Sequence, residues 1–169
     1  MKNPLNLLAA IGLALGAILG IAGTMVAARP LQSTFWAIDG VGIIVATALL
    51  AVRFSREDRP CLAAGFLVYA IGESVMLTGT ATTLAASVPS FAAGTALWSA
   101  GLLMVSVPRQ FAPWARATGL IAALLFAIVA GRIFWGLQLL PTASPLPFFA
   151  YPFLVLTFAG WIWFLLKSE

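Results

Sequence analysis

Three ionisable side chains interrupt long apolar stretches of this 169-residue chain: Asp39, Glu73 and Arg132. At the centre of a lipid-embedded helix each costs about 2.5–3.5 kcal/mol on insertion scales, so each is expected to turn inward and find a partner. Ion pairing, proton exchange or ligand binding is therefore sought at these positions first. Composition closes off other chemistry. The chain has no histidine and one cysteine, Cys61. Ser-His-Asp and Cys-His catalytic arrangements cannot be assembled. The usual zinc, copper and haem ligand sets are excluded as well, as are an intrachain disulfide and a CxxC pair. No metal or cofactor is expected and no catalytic residue is assigned. An enzyme built from this chain would depend on Glu73 as its acid or base.

Glu73 lies in the stretch "FLVYAIGESVMLTG", Phe66 to Gly79. At about 100° per residue, Gly65, Tyr69, Gly72, Glu73, Met76, Gly79, Thr80 and Thr83 fall in one sector about 120° wide. Val68, Ile71 and Val75 fall outside it. Hydroxyls continue toward the end of the stretch at Thr78, Thr80, Thr82 and Thr83. This pattern predicts a carboxyl lining an internal surface that leads outward past small and hydroxyl-bearing residues. The candidate ligand or proton pathway is Glu73 with Tyr69, Met76 and Thr80, joined by Ser99 from the next apolar stretch. In the structural alternative, Glu73 bonds to Tyr69, Ser99, Trp98 or a backbone carbonyl and only locks helices together.

Asp39 and Arg132 carry opposite charges at similar expected depth, near the same face of the membrane. An intramembrane ion pair satisfies both most simply. As a clamp near the interface, such a pair is expected to serve structure more than binding.

These side chains must be positioned by lipid-soluble elements. The chain is 62% hydrophobic and 8% charged, whereas a soluble domain carries about 25% charged residues. Too few polar side chains remain to cover a water-facing surface. Six apolar blocks, at 5–27, 35–52, 62–84, 91–107, 114–137 and 148–166, approach or exceed the roughly 20 residues that one crossing needs. Most prolines (Pro30, Pro60, Pro89, Pro108, Pro113, Pro141, Pro145 and Pro147) are expected between blocks. Pro4, after a cap at Asn3, stands in the first turn of block one, and only Pro152 enters a block. Strand alternation is absent. The expected fold is one all-α integral membrane domain over residues 1–169, a bundle of six transmembrane helices.

The basic residues predict its orientation. Lys2, Arg53, Arg56, Arg59, Arg109, Arg116 and Lys167 fall at one end, and the opposite loops hold only Arg29. The positive-inside rule then places both termini in the cytoplasm, in a membrane expected to be the bacterial inner membrane. Net charge is +4, but the basic residues are scattered, so no nucleic-acid partner is expected. The first block exceeds the 7–15-residue apolar core of a signal peptide and is expected to be retained.

Gly12, Gly16 and Gly20 recur every four residues on that block, the spacing that lets helix backbones approach closely. Gly65, Gly72 and Gly79 are expected to pack helices in the third. The glycines of the first block are expected to pack within the chain, or against a second copy or a larger membrane complex. Membrane lipid is the partner expected elsewhere. No motif identifies a family. The first functional reading is a small membrane protein that binds or passes a small or lipophilic molecule, or protons, through an outward-facing cavity near Glu73, with Asp39 and Arg132 at its mouth. The alternative is an accessory subunit of a larger complex.

Overall fold

The computed structural model of the protein describes residues 4–143 and 145–167. Lys2 and the cap expected at Asn3 lie outside the described residues. Six helices follow one another: α1 (Pro4–Met25), α2 (Arg29–Arg56), α3 (Pro60–Gly79), α4 (Val88–Ser106), α5 (Pro113–Phe134) and α6 (Ala150–Lys167). All are long and apolar enough to cross a membrane. Lipid offers no hydrogen bonds, so each segment must satisfy its own backbone groups, and a helix does so.

The prolines act differently from the expected punctuation. Pro30, Pro60, Pro89 and Pro113 stand in the first turns of α2, α3, α4 and α5 instead of between spans. A first-turn N–H has no helical acceptor, so proline loses no bond there and its fixed φ presets the helix. Hence α2 starts at Arg29 instead of 35, and α4 at Val88 instead of 91. In contrast, α3 stops at Gly79, short of the expected 84. Hydroxyls take up its final carbonyls: Thr78 donates to Val75 O at 2.6 Å, Thr80 to Leu77 O at 2.8 Å and Thr82 to Gly79 O at 2.9 Å.

Each helix packs on its neighbours in sequence, and α6 closes onto α1, making a ring in chain order. In this ring α2 and α5 are not neighbours. Glycines set the closest approaches. A Cβ at Gly12 would collide with the Gly42 carbonyl, one at Gly16 with Ile43, and one at Gly23 with the Trp36 indole. The glycine face of α1 is thus covered by α2. Of the arrangements expected for Gly12, Gly16 and Gly20, packing within the chain is the one seen. Between α3 and α4, Gly65 faces Gly101 and Gly72 faces Gly94, each Cβ position lying between 2.8 and 3.2 Å from the facing carbonyl oxygen. Gly79 packs on Ser87 and Ser90.

Aromatic rings fill much of the ring's interior. Phe54, Phe111 and Phe164 meet at the arginine-rich end, with centroids 5.1–6.1 Å apart. Phe66 stacks on Phe54 at 5.6 Å and meets Trp161 edge-on at 4.8 Å. Tyr69 continues the column, stacked on Trp98 at 5.3 Å with ring planes 2° apart. Trp98 meets Phe126 at 5.1 Å. Beside this column, Arg53 donates to Asn6 of α1 at 3.0 Å and to Glu57 at 2.7 Å, and lies 5.1 Å from the Phe164 ring of α6. One side chain thereby ties three helices where the bundle ends.

Candidate functional site

Where the aromatic column stops, a cavity of about 80 Å³ begins. Glu73 and Met76 of α3, Asp39 and Trp36 of α2, and Trp98 and Phe91 of α4 line it. Tyr151 of α6 and Gly20 of α1 complete the wall. Thr80, Ser87 and Pro141 also line it and lie at the ends of α3, α4 and the α5–α6 connection. The cavity therefore runs from the level of Glu73 and Trp98 toward the arginine-poor end.

Helix geometry places both carboxyls here. Glu73 is 4% exposed, and a Cβ at Gly40 would lie 3.1 Å from its Oε1. The bare Gly40 backbone leaves the carboxyl room to lie between α3 and α2. Asp39 lies over α1 in the same way: Cβ atoms at Gly16 and Gly20 would be 3.2 Å from its Oδ1 and 3.1 Å from its Oδ2. The two acidic side chains share one cavity wall and interact electrostatically. Tyr69 and Tyr151 lie within electrostatic reach of both.

Polar satisfaction is uneven. Ser87 donates to Leu84 O at 2.8 Å, Ser90 to Ser87 O at 2.9 Å and Tyr151 to Pro141 O at 3.2 Å. Those hydroxyl protons are already bonded. Asp39 Oδ1, Glu73 Oε2, Trp98 Nε1, Tyr69 OH and the distant Ser106 Oγ are buried without a hydrogen-bond partner. All but the last gather at the cavity and its floor. A buried polar group left unpaired costs about 1–3 kcal/mol, so their concentration around one space is a property of a site more than of a packed core. The Trp98 indole lies beside Glu73, yet its N–H closes no hydrogen bond of ordinary geometry.

The sequence-predicted residues divide clearly. Glu73, Met76 and Thr80 line the cavity. Tyr69 is fully buried beneath it, in the floor, and Ser99 is buried in α4 without lining it. The Asp39–Arg132 ion pair does not form: the ion pair among the described residues joins Arg53 and Glu57. Asp39 turns toward Glu73 and α1, whereas Arg132 is exposed on α5, which is not a neighbour of α2 in the ring. Similar depth brought the two charges to one level but on different sides of the ring. Sequence reasoning placed Asp39 at the mouth and missed Trp36, Phe91 and Tyr151 as lining. Their signal was faint: Trp36 and Tyr151 stand near the starts of the expected apolar blocks, where aromatics ordinarily mark a membrane interface.

Arg29, the nearest base to the mouth, is already engaged. It donates to Gln32 Oε1 at 2.8 Å and to the Thr82 carbonyl, and its guanidinium lies 5.8 Å from the centroid of the Trp36 ring. Gln32 in turn donates to Gly23 O at 3.0 Å, and Trp36 Nε1 to Gly20 O at 3.3 Å. The first bond satisfies a carbonyl in the last turn of α1, which has no intrahelical donor, and the second holds the Trp36 wall against α1. Compared with known proteins, the chain matches no protein-family model, no curated protein and no solved structure.

Proposed function

We propose that this protein is an integral membrane binding protein that admits a small molecule from the arginine-poor side into the cavity around Glu73. The observation that supports this reading is the Glu73 carboxyl itself, 4% exposed, with Oε2 unpartnered on the wall of an open cavity. A carboxyl that merely locked helices would have both oxygens bonded by its neighbours. The aromatic column from Trp98 to Phe54 lies between the cavity and the arginine-rich end. It argues for a closed-ended pocket and against a continuous passage for solutes or protons.

The positive-inside rule turns the arginine-rich end to the cytoplasm, so the mouth opens outward. In a bacterial cell this is the cytoplasmic membrane with its outer side facing the pocket. The accessory-subunit reading gains no support from the α1 glycines, because α2 covers them.

Cysteine accessibility in lipid nanodiscs tests the pocket. In a Cys61→Ser background, Ser90→Cys puts a thiol on the cavity wall at the cost of one atom's change. Methyl methanethiosulfonate, small and neutral, is expected to modify it in the folded protein, while Leu102→Cys in the packed core stays protected until detergent unfolds the chain. Equal protection of both thiols would end the proposal.

A further inference from the structure

Every described side chain with a formal charge at the cavity is acidic. α2 contributes Asp39 and α3 contributes Glu73; the α1 wall is the bare Gly20, α4 gives Trp98, Phe91 and serines, and α6 gives the uncharged Tyr151. No basic side chain lines it: Arg29 is bonded to Gln32 and the α3–α4 connection, and Arg132 is exposed on α5. A cation that paired with these carboxyls would therefore come from outside the chain. Low-dielectric walls disfavour an unpaired carboxylate, so ionisation of either acid goes with binding of that cation.

The walls narrow the identity of that cation. A hard divalent ion takes about six to eight oxygen ligands. Here no group of three His, Cys, Asp or Glu side chains is gathered among the described residues. The remaining surface is largely aromatic, with Trp36, Trp98, Phe91 and Tyr151 around two carboxyls. Aromatic faces attract organic cations once these are partly desolvated, and ammonium N–H groups are donors that match carboxylate acceptors. The space of about 80 Å³ is well below the roughly 300–1,000 Å³ of drug-sized pockets. Few heavy atoms fit.

Resting on the pocket reading above, we propose that the ligand class is a small alkylammonium ion. Its N–H groups are shared between the Asp39 and Glu73 carboxyls, and its alkyl part lies against Trp36, Trp98 and Tyr151. No bond is made or broken.

The test uses the full chain carrying Cys61→Ser and Ser90→Cys in nanodiscs. Aminoethyl and sulfonatoethyl methanethiosulfonates, alike in size and opposite in charge, are compared, and each rate is divided by its rate with free cysteine. A negative cleft raises local cation concentration by about 10-fold or more, so a normalised preference of about that size for the cationic reagent is expected. Asp39→Asn combined with Glu73→Gln should bring the preference to within about twofold of unity. Ethylammonium chloride should slow modification by methyl methanethiosulfonate, while equimolar sodium chloride and ethanol should not.

If the neutral reagent never reaches the thiol, the pocket reading fails. If it reacts but the charged reagents show no preference, the pocket stands and the alkylammonium inference is overturned. A preference that survives in a folded Asp39→Asn/Glu73→Gln protein also overturns it, as does equal protection by sodium. Should the double variant fail to elute as a folded species, the ethylammonium protection assay on the chain with both carboxyls intact decides alone.

Discussion

Glu73 and Asp39 are two acids that the fold leaves facing each other and short of donors. Their arrangement makes removal of a buried charge and removal of an exposed one nearly harmless to stability for different reasons. Glu73→Met removes a buried polar group whose needs the chain does not meet, and volume is nearly kept. Thermal unfolding in detergent should show stability unchanged or raised by about 1 kcal/mol, as where function is held at the expense of stability. A loss beyond about 2 kcal/mol would return Glu73 to the role of a helix lock. Arg132→Ala, on an exposed face of α5, should shift stability by less than about 0.5 kcal/mol. Combined with Asp39→Ala it should be additive within about 0.3–0.5 kcal/mol in a double-mutant cycle. At this scale the sequence told which side Glu73 faces, because helical periodicity fixes azimuth within one helix. It did not tell what Asp39 faces. Depth along a span is countable from residue number, but the angle between two helices around the bundle axis is not.

Glycine decides which elements approach most closely, and the outcome differs by position. At Gly94 a Cβ would run into Met76 and the Gly72 carbonyl. Gly94→Leu should therefore separate α3 from α4, destabilising the protein by about 1–3 kcal/mol or more as overpacking. Modification of Ser90→Cys should then lose its contrast with Leu102→Cys, because the cavity wall is part of that interface. Gly131 provides the control, with nothing within 4 Å of its Cβ position. In the helix interior, Gly131→Ala should add about 0.5–1 kcal/mol, read in the same unfolding assay. Element number and type were legible from apolar run length. The boundaries were less so, and for a local reason. Pro30 and Pro89 were read as separators although proline fits a first turn as well as a gap, and the threonines after Gly79 were read as helix although their hydroxyls bond its final carbonyls.

The whole molecule joins a packed half to an open half. Rings from α2 to α6 fill the arginine-rich half, and two acids and a cavity occupy the other. Composition made the lipid environment legible at once, and the six blocks made the bundle legible. The order of helices around the axis was not, since apolar faces pack as readily on one neighbour as on another. Reporter domains fused to the two termini should both read the cytoplasmic side, consistent with the even number of spans and the basic residues at that end. Opposite readings would invert the proposed mouth or break the six-span topology.

The closure of α6 on α1 also means that the polypeptide is a circle cut at one place. Residues Pro4 and Lys167 begin and end neighbouring helices at the same end, so a short linker between them and a new cut in the turn at Glu57–Arg59 gives a permuted chain of six helices. Its ends stay with the arginines, and insertion therefore meets the same charge bias. Cutting instead between α3 and α4 would send both new ends to the far side, against that bias. The architecture thus tolerates rearrangement on one rim and resists it on the other, and the resistant rim is the one that holds the pocket.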